Sequence, residues 1–160
     1  MSFAYPVPPL AFLRRLSRAK NPARGALRSI PEYLEGRAAL LTAAHLQELL
    51  RELPLLRLQF AGLAAPRFPH LPAQLKLLAA FFQDAAEARF LNAPSAAQRE
   101  TALALRYVAR NTDVLPDHAP DNRHADDSLL VRTVLRRHRK TFRDYCRFRR
   151  LRWPAVTLAR

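Results

Sequence analysis

The sequence predicts an all-α fold, built as a single compact domain of several helices. The 160 residues include only three glycines, and β-branched residues are sparse, so no segment alternates in the manner of a strand. Leucine and alanine instead recur at spacings of three and four residues, and hydrophobic residues make up 49% of the chain. A chain of this length fits one domain and can bury a substantial core.

The first third of the chain predicts short helices separated by proline and glycine. A basic amphipathic helix is expected over residues 9–20, followed by a break at residues 21–25, which contain Asn-Pro and a glycine. Residues 31–53 have the leucine spacing of a second helix, and Gly36 is expected to split it. Pro54 is then expected to begin a separate short apolar element.

The middle of the chain predicts two longer helices after a proline-containing loop at residues 66–72. Residues 73–91 carry a wide apolar face, and Pro72 suits the first turn of that helix. Ser95 and Gln98 match a capping box, so the next helix is expected over residues 96–110.

A helix-loop-helix hairpin is predicted near the C-terminus. An acidic loop follows residue 110, and a last helix should run from Asp126 or Asp127 to about Arg150. One face of this helix is expected to be buried, and it carries Leu130, Val131, Val134, Leu135, His138, Phe142, Tyr145 and Cys146.

Positive charge is concentrated at the two ends of the chain, whose net charge is +14. Residues 1–28 carry six basic and no acidic side chains, whereas residues 132–160 carry eleven basic and one acidic side chain. The body between them carries ten basic and twelve acidic side chains. We therefore divide the chain into a basic segment 1–28, a helical domain 29–152 and a tail 153–160, and expect anionic partners.

The basic ends predict contact with nucleic acid or another polyanion. Arginines suit bidentate phosphate contacts, and the interleaved Phe142, Tyr145, Phe148 and Trp153 offer stacking surfaces for bases. In the alternative interpretation the aromatic residues pack in the core and the charges form a solvated face. The same surfaces also suit peripheral association with an anionic membrane. The candidate polyanion-binding residues are Arg14, Arg15, Arg18, Arg136, Arg137, Arg139, Lys140, Arg143, Arg147, Arg149, Arg150 and Arg152.

The acidic loop allows two interpretations. In one, its aspartates stabilise a turn and the start of the last helix, where negative charge favours the helix dipole. In the other, carboxylates and imidazoles converge on a divalent ion, for which mixed Asp and His ligands suit Zn, Mn or Fe better than Ca. The candidate ligands are Asp113, Asp117, His118, His124, Asp126 and Asp127. Their spacing matches no defined metal site, so no cofactor is predicted, and a divalent metal is kept as the alternative.

The same region resembles a known family. Tyr107, the run Asp113-Val-Leu-Pro116-Asp117, Pro120 and the pair Asp126-Asp127 before an apolar helix are similar to the YkvA-like family, over roughly residues 100–140. The resemblance implies a helix-loop-helix with acidic positions. Because the family is a domain of unknown function, it implies no reaction.

Function is therefore expected to lie in binding or scaffolding rather than in catalysis. No glycine-rich phosphate loop and no Ser-His-Asp signature occurs in the chain. The single cysteine, Cys146, excludes an internal disulfide and is compatible with the cytoplasm. No apolar run reaches the length of a bilayer-spanning helix. A metal-dependent enzyme using the acidic loop remains the third alternative.

Overall fold

The computed structural model describes the backbone of residues 22–114 and 124–153, and the side chains of residues 30–110 and 124–153. Within these ranges every regular element is a helix and no strand occurs, which confirms the predicted all-α class. The helices are α1 (Pro22–Ala38), α2 (Ala43–Ala61), α3 (Leu71–Ala86), α4 (Ser95–Val114), α5 (Ala125–Arg137) and α6 (Arg139–Phe148).

Helix α4 lies at the centre of the fold, where it packs against α1, α2, α3 and α5. Its inner face is made of small and medium side chains that are almost fully buried, including Ala97, Ala104, Leu105 and Val108. Small residues let neighbouring helices approach α4 closely, so one core runs through the domain. Helices α4 and α5 pack on each other as the predicted C-terminal hairpin.

The predicted break at Gly25 is wrong, whereas the predicted split of residues 31–53 occurs, at residues 39–42 instead of at Gly36. Helix α1 begins at Pro22, continues through Gly25 and Pro31, and ends at Ala38, two residues beyond Gly36. The real boundary is a capping box that the sequence pattern did not reveal. The hydroxyl of Thr42 accepts from the His45 amide, and the His45 ring accepts from the Thr42 amide at 3.0 Å. Histidine takes the place that glutamate or glutamine usually holds.

Pro54 does not begin a new element but lies inside α2. The helix continues to Ala61 with an unbroken buried face of Leu49, Leu53, Leu56 and Phe60. A proline in a helix interior costs about 3 kcal/mol. We attribute its tolerance here to that buried face, which packs on α3 and α4 on both sides of the proline.

Helix α3 carries the predicted Pro72 in its first turn but ends at Ala86, five residues before the expected end. Ala88 has a φ of 56°, in the left-handed region. The Arg89 amide bonds to the Asp84 carbonyl at 2.8 Å and the Ala88 amide to the Ala85 carbonyl at 3.2 Å. This is the Schellman motif, which normally places glycine at the left-handed position and satisfies the last carbonyls of a helix.

The predicted capping box at Ser95 is also wrong. The Gln98 amide donates to the Pro94 carbonyl at 3.1 Å, and the Gln98 side chain donates to the Ala93 carbonyl at 3.0 Å. Ser95 is thus the first residue of α4 rather than its cap.

The last predicted helix is two helices, divided at His138. His138 ends α5 and precedes α6, with a non-helical φ of −108° and ψ of 31°. The predicted buried face is confirmed except at His138, which is partly exposed: Leu130, Val131, Val134, Leu135, Phe142, Tyr145 and Cys146 are all buried. Phe142 and Tyr145 pack on Phe81 of α3, with ring centroids 4.7 and 5.4 Å away.

Candidate functional site

The candidate site is formed by exposed cations on and around α6. We call it the C-terminal basic surface, and it comprises Arg136, Arg139, Lys140, Arg143, Arg147, Arg150 and Arg152. With 3.6 residues per turn, positions 139, 140, 143 and 147 fall within about 100° of one another around the helix axis. Because α6 buries Phe142, Tyr145 and Cys146, its charged side faces away from the core.

Two of these cations occupy an electrostatically unfavourable position. Arg139 and Lys140 lie in the first turn of α6, where the partial positive charge of the helix N-terminus repels cations. Neither residue forms an ion pair within the described part of the chain, and the same holds for Arg143, Arg150 and Arg152. A bound anion would relieve this repulsion.

Arg137, unlike Arg139 and Lys140, is held by a buried carboxylate. Its Nε and a terminal nitrogen donate to the two oxygens of Glu100, each at 3.1 Å. The His138 Nε2 lies 2.9 Å from the same carboxylate, and Glu100 is only 2% exposed. Burial by itself would raise the pKa of Glu100, but the hydrogen bonds and charges of His138 and Arg137 outweigh it and hold the pKa below its usual value. Arg137 therefore joins α5 to α4.

Arg149 is held in the same way by a second buried carboxylate, Asp84 at the end of α3. The Nε of Arg149 lies 3.2 Å from Asp84, and the Tyr145 hydroxyl donates to the same carboxylate at 2.7 Å. Burial, followed by this hydrogen bond and the negative charge of Asp84, raises the pKa of Tyr145 far above its usual value. Asp84 thus fixes the end of α6 against α3.

Apolar side chains stand exposed beside the basic residues. Phe148 is 50% exposed, and its ring packs on that of Phe90 at a centroid distance of 5.4 Å and an angle of 44°. Leu91, which follows Phe90, is 83% exposed, and Leu151 is 49% exposed. Trp153 is only partly buried against the core. Of the four aromatic residues in the predicted basic tail, Phe142 and Tyr145 are thus core residues, whereas Phe148 presents half of its ring to solvent.

Arg150 has a φ of 55°, which costs about 1–2 kcal/mol for a residue other than glycine. The Leu151 amide bonds to the Cys146 carbonyl at 2.8 Å, and the Arg150 amide to that of Arg147 at 3.1 Å. This is a second Schellman motif, with arginine where glycine is usual. The turn projects an exposed cation beside Phe148 and Leu151.

The acidic loop is described only from its last residues onward. His124 and Asp127 are both buried, and the His124 Nδ1 lies 3.1 Å from the Asp127 carboxylate. Asp126 and Asp127 lie within the first turn of α5, where negative charge favours the helix dipole. Among the side chains that the structure describes, no three His, Cys, Asp or Glu residues gather as a metal site would require.

The other predicted ligands, Asp113, Asp117 and His118, lie outside the described side chains, so the divalent metal stays a prediction. Arg14, Arg15 and Arg18 also lie outside the described residues. Cys146 is buried, and burial raises the pKa of its thiol, which disfavours the reactive thiolate.

Sequence reasoning missed the two carboxylates that organise this region. A local signal existed for both, because Asp84 follows Phe81 by three residues and Glu100 follows Ala97 by three, and Phe81 and Ala97 are core residues. A lone carboxylate in phase with an apolar face indicates a buried ion pair. Arg89 is a local partner of Asp84, 3.6 Å away, but Arg137 and Tyr145 could not be read from the spacing, because they lie 37 and 61 residues from Glu100 and Asp84.

No helix in the described ranges is long and apolar enough to cross a membrane. Comparisons with protein-family models, with curated proteins and with solved structures find no match to this chain. The resemblance of residues 100–140 to the YkvA-like family therefore stays a prediction.

Proposed function

We propose that this protein is a non-enzymatic binding or scaffold protein that contacts nucleic acid through the C-terminal basic surface. The observation that carries the proposal is a row of exposed cations along α6, Arg139, Lys140, Arg143 and Arg147, with the half-exposed ring of Phe148 at the end of the same helix and Arg150 directly after it. Arginines neutralise phosphates, and an exposed ring stacks on unpaired bases. Single strands are therefore the favoured ligand. The proposal includes a cytoplasmic location.

Two of the predicted contact residues, Arg137 and Arg149, are better left out of a binding test. Arg137 and Arg149 stabilise the fold through Glu100 and Asp84, so their substitution would confound a binding test. A chain ending at Arg139 would have the same defect, because it would remove the buried Phe142 and Tyr145 from the core. Substitutions of exposed residues are the cleaner perturbation.

The test is fluorescence anisotropy of a labelled single-stranded oligonucleotide over a salt series. With about five phosphates neutralised, the slope of log K against log salt should be about −3.5, which corresponds to a loss of about 100-fold in affinity between 50 and 200 mM salt. The double variant Arg139→Gln/Arg143→Gln should reduce the magnitude of this slope by about 1.4.

A matched control removes the same charge elsewhere. Arg51 and Arg110 are exposed on α2 and α4, and the variant Arg51→Gln/Arg110→Gln should keep the wild-type slope. Equal slopes for both double variants would refute the proposed surface. Phe148→Leu keeps the apolar contact with Phe90 but removes the stacking ring, so it should weaken single-strand binding about fivefold or more while leaving duplex binding unchanged.

An anionic membrane is the second candidate ligand, favoured by the exposed Leu91, Phe148 and Leu151 next to the arginines. Apolar side chains ringed by cations are typical of proteins that lie on anionic bilayers. Sedimentation with phosphatidylglycerol vesicles distinguishes the two ligands. Vesicle binding that is lost in Leu91→Ser, together with weak oligonucleotide binding, would replace the first proposal by the second.

A further inference from the structure

A groove of about 520 Å³ lies between the end of α2 and the start of α3. Its apolar lining comes from Phe60 and Ala61 of α2 and from Pro72, Ala73 and Ala80 of α3. This volume falls within the range of small-molecule sites, which are mostly apolar with a few placed polar groups.

Three cations from three different elements complete the lining: Arg57 of α2, Lys76 of α3, and Arg149 just after α6. No carboxylate is among the lining residues, and although Asp84 offsets the charge of Arg149, Arg57 and Lys76 make the groove net positive, so it attracts a negative charge. Arg149 is held by Asp84, whose carboxylate lies 3.2 Å from its Nε. Arg149 is therefore partly ordered before binding, which lowers the entropy cost of bringing this cation to a ligand.

The start of α3 adds to the positive electrostatic potential of the groove. Pro72 and Ala73 belong to the first turn of α3, and the residue before the helix, His70, makes no side-chain capping hydrogen bond. The partial positive charge of the helix N-terminus thus lies beside the groove. Cations and helix end together favour an anionic group, while the apolar lining favours a hydrocarbon chain.

We propose that this groove binds a free single-chain amphiphile, with its phosphate headgroup among Arg57, Lys76 and Arg149 and its alkyl chain on the surface formed by Phe60 and Ala80. Both parts of the ligand are needed, because the cations are largely solvated and the apolar lining is too small to act alone. This site is separate from the C-terminal basic surface, since Arg57 and Lys76 do not belong to that surface.

The probe is dodecyl phosphate, kept below its critical micelle concentration and titrated calorimetrically into the full chain. Saturable binding of one molecule per chain is expected, with no measurable heat from inorganic phosphate and weaker binding of dodecanol. Lys76→Gln and Arg57→Gln should each weaken binding about fivefold. Ala73→Leu, which fills the groove from an exposed helix position, should weaken it about tenfold or more.

Arg51→Gln is the matched control, since it removes one positive charge from an exposed position of α2 outside the groove. It should bind like the wild type. Helical content and melting temperature of each variant verify that it is folded. Equal weakening by Arg51→Gln and Lys76→Gln, or unchanged binding in Ala73→Leu, would overturn the proposal. So would a response to phosphatidylglycerol vesicles with none to the free ester, since the ligand would then be a membrane surface.

Discussion

Glu100 is the residue whose replacement tests the packing of the C-terminal hairpin most directly. The substitution Glu100→Gln keeps the size of a side chain that is 2% exposed but removes its charge. Three hydrogen bonds are affected, two from Arg137 at 3.1 Å and one from His138 at 2.9 Å. The amide oxygen of glutamine can keep part of them.

The expected cost follows from these contacts. Removing one member of a buried charge pair costs about 3–5 kcal/mol, but the Arg137 side chain is 31% exposed and also lies 3.7 Å from Glu35. It can be partly rehydrated, so we expect a loss of about 2–3 kcal/mol in the free energy of unfolding. For a chain of 160 residues this lowers the melting temperature by about 5–10 °C.

The pH dependence of this loss identifies its cause. The pKa of Glu100 is lower in the folded state than its ordinary value of 4.5, so its stabilisation is fully present above that value. It is lost as the pH falls through the folded-state pKa. Urea unfolding at pH 7 and again below pH 4 should therefore show a large difference between wild type and Glu100→Gln at pH 7 and a much smaller one in acid.

Glu48→Gln provides the comparison, because Glu48 also pairs with an arginine, Arg106 at 2.6 Å, but on the exposed surface. Its replacement should cost far less than that of Glu100, since exposed ion pairs contribute little. The reasoning is refuted if the two variants lose equal stability at pH 7, or if the loss in Glu100→Gln is as large in acid as at neutral pH.

Three further outcomes test the fold. Tyr145→Phe removes the 2.7 Å hydrogen bond to buried Asp84 and should lower the free energy of unfolding by about 1–2 kcal/mol in urea titrations; no change would mean that Arg149 and Arg89 suffice for that carboxylate. Ala88→Gly relieves a φ of 56° and should stabilise the chain by about 0.5–1 kcal/mol, measured as a higher urea midpoint; a lower midpoint would contradict the Schellman geometry. Cys146, which is 2% exposed, should react with a thiol reagent only as fast as the protein opens, and rapid labelling of the native protein would contradict its burial.

The sequence by itself determined the all-α class and which faces of the helices are buried, but not where each helix begins and ends. The spacing of Leu75, Leu78, Phe81 and Phe82 in α3 predicted the buried side chains that the structure contains. This works because helix periodicity is local, and an apolar stripe can be buried only in one orientation. The concentration of cations at the C-terminus is equally a property of the sequence.

Only the tertiary structure decided which of those cations are exposed and which are paired with buried carboxylates. Arg137 and Arg139 lie two residues apart in the chain, yet Arg137 is held by Glu100, which is 37 residues away in sequence, while Arg139 lies exposed on the outer side of α6. Arg149 likewise is held by Asp84, which is distant in the sequence. Pro54 also depends on tertiary packing, because its helix continues only where the neighbouring leucines are packed on α3 and α4. Local patterns carry no information on these contacts. These contacts form when distant segments pack together, because a buried carboxylate stays ionised only if it is paired with a cation or a hydrogen-bond donor.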